Sequence, residues 1–300
     1  MRLSVLAALP LLLFTQLAWA GDRVLASIEP LAMTARELLG TGSAVTTLLE
    51  PGQSLHGASL TPGQARRIRE ADLVVWLGAA AEPQLVPLIE RRPGPDLALL
   101  SLDGIHRIHG RDGSGHGGHD HGEGAGGAPD PHLWLDPHNI ERLARALAER
   151  RDLDPASFVD RLEATRESVD RLLTPVRDQG YVSHHDPWRY FARAFSLRPA
   201  LVASEAVTAG TSARGLVELA RRMESEGVQC VLAEPDARRA LLERLCQGDC
   251  RLVPVDPLGR ALTEAGYTDF LTRLGERFHH CLAGPAGEQT ELPAPPEPPA

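Results

Sequence analysis

A chain of 300 residues with a hydrophobic fraction of 43% is long enough for two domains of ordinary size and apolar enough to bury a core. The formal net charge of −9 argues against nucleic acid as a partner, because neutralising phosphates requires clustered Lys and Arg. The mild acidity fits simple solubility as well as the collection of cations.

The first residues have the parts of an export signal. Arg2 supplies a positive charge, residues 3–14 form an apolar run too short to span a bilayer comfortably, and residues 18–20 (Ala-Trp-Ala) offer a small-x-small cleavage site. A membrane anchor is the alternative, but polar residues follow at once from Gly21. We therefore expect residues 1–20 to be removed on export to the periplasm, and no later segment to span a membrane.

Strands and helices alternate through the first part of the chain, and Thr61-Pro62 is a typical helix start. The predicted elements are strand 24–28, helix 31–39, strand 44–49, helix 63–70, strand 72–77, helix 82–91 and strand 97–101. This alternation predicts a parallel sheet covered by helices on both faces. We assign residues 21–138 to this first α/β lobe.

Two segments of different composition follow. Residues from about 106 to 130 are Gly, His and Asp with almost no apolar side chains, which predicts a disordered His-rich loop on the first lobe. Residues 139–178 then show a nearly unbroken helical pattern, interrupted near residues 152–155, and are predicted to form a connecting helix.

The alternation restarts beyond Gly180. The predicted elements are strand 181–183, helix 188–195, strand 201–203, helix 212–226, strand 230–233, helix 237–245, strand 252–255 and helix 267–281. Residues 179–284 therefore form a second α/β lobe, and the Pro-rich residues 285–300 a disordered tail. The expected architecture is two Rossmann-like lobes, each a parallel sheet flanked by helices, joined by a long rigid helix.

Eight of the twelve histidines fall into two groups. His56, His132 and His185 each lie beside a turn where a strand ends or a helix begins, and Asp256 lies at a similar junction. Ligands of open α/β sheets bind outside the carboxyl ends of the strands. A single histidine at such a point is more often a turn or capping residue, and spacing alone does not show that these side chains converge. The second group lies in the predicted loop and comprises His106, His109, His116, His119 and His121.

All four cysteines lie in the last quarter of the chain: Cys230, Cys246, Cys250 and Cys281. An even number in an oxidising compartment predicts two disulfides, and Cys-x3-Cys without a matching pair is a weak zinc pattern.

Seven short motifs occur in order between about residues 24 and 282. They are Ile28-Glu29-Pro30-Leu31, Glu50-Pro51-Gly52 with His56, residues 71–78 (Ala-Asp-Leu-Val-Val-Trp-Leu-Gly), residues 130–137 (Asp-Pro-His-Leu-Trp-Leu-Asp-Pro), His185-Asp186-Pro187, Ala233-Glu234-Pro235 and Val255-Asp256-Pro257-Leu258-Gly259. This series resembles the periplasmic metal-binding proteins that serve zinc and manganese ABC importers (cluster A-I), and specifically their zinc-binding branch.

The resemblance implies that His56, His132 and His185 bind Zn²⁺ through ring nitrogens in a cleft between the lobes, with His184 the less favoured alternative to His185. Asp256 lies where the family has a carboxylate that is a ligand in some members and a neighbour in others. Leu55 departs from members with an acidic residue there, so either Asp256 or water completes the site. Three imidazoles favour zinc over manganese.

The remaining polar groups near these motifs have weaker assignments. Asp186 either orients an imidazole or has an ordinary turn role, and His138 is predicted to be a helix-start residue. The family resemblance implies that the loop histidines bind additional zinc weakly and are dispensable for the primary site. It also pairs Cys230 with Cys281. Cys246 and Cys250 lie outside the family pattern, and we pair them from proximity and compartment.

The expected function is that of a monomeric periplasmic zinc-binding component that delivers Zn²⁺ to the membrane permease of an ABC importer, without enzymatic turnover. Its affinity should fall as the pH drops through about 6, because imidazole must be neutral to bind metal. The alternatives are a manganese or iron carrier of the same fold, an adhesin or zinc buffer, and a secreted zinc hydrolase. The chain lacks the His-Glu-x-x-His motif typical of such hydrolases.

Overall fold

The computed structural model describes residues 23–40, 43–50, 53, 60–109, 129–203, 213–235, 237–246, 250–262 and 264–284. The predicted signal (1–20) and tail (285–300) lie outside the described residues, as do His56, His116, His119 and His121. None of the described helices is long and apolar enough to cross a membrane.

The first lobe is built on a four-stranded parallel sheet of order β2-β1-β3-β4. Its strands are β1 (Arg23–Ala26), β2 (Ala44–Thr47), β3 (Leu73–Trp76) and β4 (Asp96–Ala98), and its helices are α1 (Glu29–Leu39), α2 (Pro62–Glu70) and α3 (Val86–Ile89). All four residues of β3 are buried, as expected for a strand covered on both faces. Thr61 caps α2 in a capping box with Gln64.

The predicted helix 82–91 is shorter in the structure. A 3₁₀ turn at Pro83–Leu85 precedes the single turn of α3. Pro87 has no N–H group, so the hydrogen-bond ladder of a longer helix cannot run through it.

The second lobe repeats the arrangement with a parallel sheet of order β6-β5-β7-β8. Its strands are β5 (Tyr181–Ser183), β6 (Leu201–Val202), β7 (Cys230–Ala233) and β8 (Arg251–Pro254), and its helices are α6 (Arg189–Ala194), α7 (Ala213–Glu226), α8 (Arg239–Cys246) and α9 (Tyr267–Ala283). In each sheet the second strand lies on one side of the first strand, and the third and fourth strands lie on the other side. The switch points between β1 and β3 and between β5 and β7 are therefore the expected ligand positions.

The segment predicted as one connecting helix over 139–178 is divided into α4 (Pro137–Arg151) and α5 (Ala156–Leu173). Asp152 ends α4 in the left-handed conformation, with φ of 52°. Asp154 then accepts a hydrogen bond of 3.0 Å from the backbone N–H of Ala156 and starts α5. The division falls at the interruption that the sequence pattern shows, and α5 leads into the second lobe.

The two lobes share one continuous hydrophobic core. Trp134, just before α4, donates a 2.7 Å hydrogen bond from Nε1 to the carbonyl of Pro257 in the second lobe. The hydroxyl of Tyr267, at the start of α9, donates a 2.6 Å hydrogen bond to the carbonyl of Trp134. Helix α9 also packs along α5 and against α1. This packing favours small relative movements of the lobes over a wide opening.

Both predicted disulfides are present. Cys230 in β7 bonds to Cys281 in α9, with their Cα atoms 5.2 Å apart, and Cys246 bonds to Cys250, with Cα atoms 5.1 Å apart. The first bond ties the sheet of the second lobe to the last helix. The second closes a short loop between α8 and β8.

Candidate metal centre

Histidine side chains from both lobes meet at the cleft. His185 is the second residue after β5, at the carboxyl edge of the second sheet, and His132 lies in the first lobe just before the 3₁₀ turn Leu133–Leu135. Their ring centroids are 5.7 Å apart, and both residues are buried. Two imidazoles bound to one zinc ion at a tetrahedral angle have centroids about 5–5.5 Å apart, since the zinc–nitrogen bond is about 2.0–2.1 Å. The structure therefore brings together two of the three predicted histidines at close to the separation that one ion requires.

The imidazole of His132 is oriented by a buried carboxylate. Its Nδ1–H donates a 2.8 Å hydrogen bond to Oδ1 of Asp130, which also accepts the backbone N–H of His132 at 3.0 Å. This contact selects the tautomer that presents Nε2 to a metal ion. Burial acts to raise the pKa of Asp130, but the hydrogen bonds and charge of His132, with the charge of Arg189, outweigh it and lower that pKa. Asp130 thus acts as a charged acceptor behind the predicted ligand.

Asp186 does not take this role. Burial raises the pKa of its carboxyl group, and among the described residues its Oδ1 has no hydrogen-bond partner. The acceptor for an imidazole is Asp130, two residues before the histidine that it orients, rather than Asp186, one residue after His185.

A buried polar network lies beneath His185. The hydroxyl of Ser183 contacts the carboxylate of Glu234 and the carbonyl of His185, and Nε1–H of Trp188 donates to Oε1 of Glu234 at 3.1 Å. The backbone N–H of His184 lies 3.3 Å from Oε2. Burial raises the pKa of Glu234 to about 7, although these hydrogen bonds oppose the shift. The network links the end of β7 to the His184-His185 turn.

Asp256, the predicted carboxylate near the site, forms an ion pair with Arg260. Its Oδ2 lies 3.1 Å from Nε of Arg260, and its Oδ1 lies 3.2 Å from Nη2. The backbone N–H groups of Leu258 and Arg260 donate to the same carboxylate at 3.0 and 2.8 Å. Nη1 of Arg260 also reaches the carbonyl of Gln53 at 3.3 Å. The structure thus links the turn that contains Asp256 to Gln53 through Arg260.

His106, predicted as a weak loop ligand, is fixed to the start of α4. Its Nδ1–H donates a 2.7 Å hydrogen bond to Asp136, and its ring stacks on that of His138 with centroids 4.2 Å apart. Asn139 bonds both the N–H and the carbonyl of His106. These contacts fix His106 on the rim of the first lobe, with Nδ1 held by Asp136. Asp136 also accepts the N–H of His138 as the N-cap, so His138 is a helix-start residue as predicted.

The base of the predicted loop is closed by an isolated bridge between His109 and Pro129. Arg189 of α6 donates a 3.0 Å hydrogen bond to the carbonyl of His109. The described residues therefore hold the two ends of this segment together near Asp130.

Glu234 and Asp130 lie in the motifs described above, but the motifs alone indicate no role for either residue. The sequence does carry a signal for Glu234: it follows a buried strand directly, next to the strand that precedes His184-His185. Parallel strands end at one edge of a sheet, so Glu234 and these histidines had to be neighbours once β5 and β7 were paired.

Comparison with known proteins gives a consistent result. The family model described as the periplasmic zinc-uptake complex component A, ZnuA, matches residues 24–281. The high-affinity zinc uptake system protein ZnuA of Yersinia pestis is 27% identical over 314 aligned residues, covering 93% of this chain and 97% of that protein. The protein of the same name from Paracoccus denitrificans is 28% identical over 306 residues, covering 87% and 91%.

Solved structures support the same fold. A crystal structure of ZnuA aligns with a TM-score of 0.73 at 20% identity, covering 88% of this chain and all of that chain (100%). The structure of FpvC from Pseudomonas aeruginosa in complex with Mn²⁺ aligns with a TM-score of 0.66 at 17% identity, covering 87% and 98%. At these identities the solved structures indicate the fold alone.

Proposed function

The chain belongs to the family of the periplasmic zinc-uptake complex component A, and on that premise we propose that it captures Zn²⁺ and delivers it to the membrane permease of an ABC importer. The observation that carries the proposal is the buried pair His132 and His185, one from each lobe, with centroids 5.7 Å apart. Zinc is the cargo of this site, bound and released without turnover. The family and its named relatives act in zinc uptake in the periplasm, where we place this chain as well.

The proposed ligands are the imidazoles of His56, His132 and His185. Water completes the site more readily than Asp256 does, because Asp256 would have to leave two contacts with Arg260 and two backbone N–H groups. A displaced carboxylate would also take the charge of Asp256 away from the partly buried Arg260, which is costly.

Selectivity for zinc follows from the ligand types. Imidazole nitrogen suits zinc, whereas manganese prefers carboxylate and water oxygen. A neighbour of this fold binds Mn²⁺, so the fold does not decide the metal. The turn after β5 positions an imidazole at residue 185, and this nitrogen ligand favours zinc in the cleft.

Delivery is proposed to depend on small movements. The lobes share one core, and the Trp134 and Tyr267 hydrogen bonds cross between them. A wide hinge opening would break this core. Local shifts of the ligand-bearing turns cost less free energy than such an opening. They would release the ion when the permease contacts both lobes.

The deciding experiment measures zinc affinity by chelator competition for His132→Ala and His185→Ala, with His138→Ala as the matched control. Loss of an outer partner of a ligand costs about 10–100-fold in metal affinity, so loss of a ligand should cost more than about 100-fold. His138, bonded to Gly104 at the start of α4, should leave affinity unchanged. Wild-type affinity in both ligand variants would refute the assignment, and displacement of bound zinc by equimolar Mn²⁺ would favour the manganese alternative.

A further inference from the structure

Three buried metal-ligating side chains meet at the carboxyl ends of β5 and β7. The ligand atoms of His184, His185 and Glu234 lie within 4.8 Å of one another. The three residues are 4%, 8% and 3% exposed. Among the residues that the structure describes, this is the one group of three or more His, Cys, Asp or Glu side chains that meets so closely. All three belong to the second lobe.

The chemistry of this group suits zinc. Two imidazoles and one carboxylate are ordinary zinc ligands, with bonds of about 2.0–2.2 Å. Ligand atoms around a tetrahedral ion of that size are roughly 3.3–3.6 Å apart, so a contraction of about 1 Å would close the group on an ion. Side-chain rotations can supply such a movement.

Glu234 keeps coordinating capacity within its network. Ser183 and Trp188 both donate hydrogen bonds to Oε1, whereas Oε2 lies at the long distance of 3.3 Å from the backbone nitrogen of His184. A carboxylate has about four lone-pair sites, so Oε2 can take a metal ion while Oε1 remains held. The network therefore fixes the carboxylate beside the histidines without occupying it fully.

His185 is common to this group and to the cleft pair. Its ring centroid is 5.7 Å from that of His132 and 6.3 Å from that of His184. A neutral imidazole has one nitrogen lone pair and binds one ion at a time. The two groups are therefore alternative positions for a single ion.

We propose that His184, His185 and Glu234 form a second coordination position for the zinc cargo, held by the second lobe alone. The inference rests on the proposed function, because it concerns the same ion. An ion in this position needs no ligand from the first lobe. It can therefore be held by the second lobe before His132 engages and after His132 withdraws, which divides capture and release into two smaller steps.

The test uses the full chain with His116, His119 and His121 replaced by Asn, so that loop zinc does not obscure the result. In this background, His56→Ala/His132→Ala removes the first-lobe ligands. The proposal expects one weaker zinc ion to remain, measured by chelator competition, and Co²⁺ to give a visible absorption spectrum. Adding His184→Asn or Glu234→Gln should weaken this remaining binding at least tenfold and remove the Co²⁺ bands.

Glu82→Gln is the matched control, because Glu82 is a buried carboxyl of the first lobe whose pKa burial also raises to about 7. It should leave the remaining site unchanged. Absence of any zinc or Co²⁺ binding in the double variant would overturn the second position, and so would remaining binding that ignores His184→Asn. Wild-type affinity in the double variant would instead overturn the proposed function. If Glu234→Gln fails to fold, His184→Asn decides.

Discussion

The guanidinium of Arg260 lies against the carboxylate of Asp256, with Nε 3.1 Å from Oδ2 and Nη2 3.2 Å from Oδ1. Both side chains are mostly buried, at 13% and 21% exposure. Asp256 lies where the resemblance places a carboxylate of the metal site, and in this chain its carboxylate stabilises a turn through Arg260. Arg260 also joins the turn after β8 to Gln53, whose carbonyl lies 3.3 Å from Nη1.

Asp256→Asn should therefore change zinc affinity by less than about tenfold, below the loss expected for a ligand. It should lower the free energy of unfolding of the apo-protein, because Arg260 loses its buried partner. Chelator competition and urea unfolding measure the two effects. A loss as large as that of His132→Ala would make Asp256 a ligand.

Asp130→Asn should weaken zinc binding about 10–100-fold, because it removes the charge that orients His132 and strengthens its ligand nitrogen. Asp186→Asn is the matched control, since Asp186 is a nearby carboxyl without a described imidazole contact. Its effect on affinity should stay under about tenfold. A larger loss in Asp186→Asn than in Asp130→Asn would contradict this assignment of the acceptor.

The stability of the apo-protein should depend on pH through Glu82, whose Oε2 accepts the N–H of Leu77 at 2.6 Å. Burial raises the pKa of Glu82 from 4.5 to about 7. Below pH 4.5 the carboxyl is neutral in the folded and unfolded chains. As the pH rises the unfolded chain ionises first, so stability present at low pH is lost progressively up to about pH 7, by about 3 kcal/mol.

Glu82→Gln removes this ionisation. The free energy of unfolding of the variant, relative to wild type, should therefore rise by about 3 kcal/mol between pH 4.5 and pH 8. Urea unfolding at the two pH values measures it, with the exposed Glu70→Gln as control. If the free energies of unfolding of wild type and Glu82→Gln changed equally with pH, the Glu82 carboxyl would have the same pKa in the folded and unfolded chains, and the prediction would be wrong.

The two disulfides should contribute unequally to stability. In the chain-entropy model, the Cys230–Cys281 bond, with 51 residues of separation, stabilises by about 4 kcal/mol. The Cys246–Cys250 bond, with a separation of 4, stabilises by about 2 kcal/mol. Paired Ser substitutions compared by denaturant unfolding test this order. Equal losses would indicate that loop length does not set the difference.

Replacing His116, His119 and His121 by Asn should leave one tight zinc ion and reduce the number of weakly bound ions. His106→Asn should remove at most one weak ion, because Asp136 holds Nδ1 of His106 and leaves Nε2 as the single ring nitrogen that could bind metal. The zinc stoichiometry, measured with chelators of increasing strength, separates the tightly bound ion from the weakly bound ions. Loss of the tight ion with the loop histidines would place the main site in the loop instead of the cleft.

Much of the fold was accessible from short-range patterns. Buried strands such as Leu73–Trp76 read as apolar runs, and Thr61-Pro62 carried the signals of a helix start. The break between α4 and α5 was visible at Pro155, but its consequence, two helices in place of one, depends on the left-handed turn at Asp152. Helix 82–91 was overestimated because Pro83 and Pro87 divide it.

The sequence by itself predicts His132 and His185 as ligands and locates the turns that carry them, because both stand within local motifs whose strand and turn signals lie a few residues away. Only the tertiary structure decided which side chains meet. The pairing of β5 with β7 brings Glu234 to His184, the turn after β8 directs Arg260 onto Asp256, and α4 fixes His106 to Asp136. Each of these contacts depends on strand order or on turn geometry, and neither the 3.6-residue helical period nor the two-residue strand period encodes such a relation.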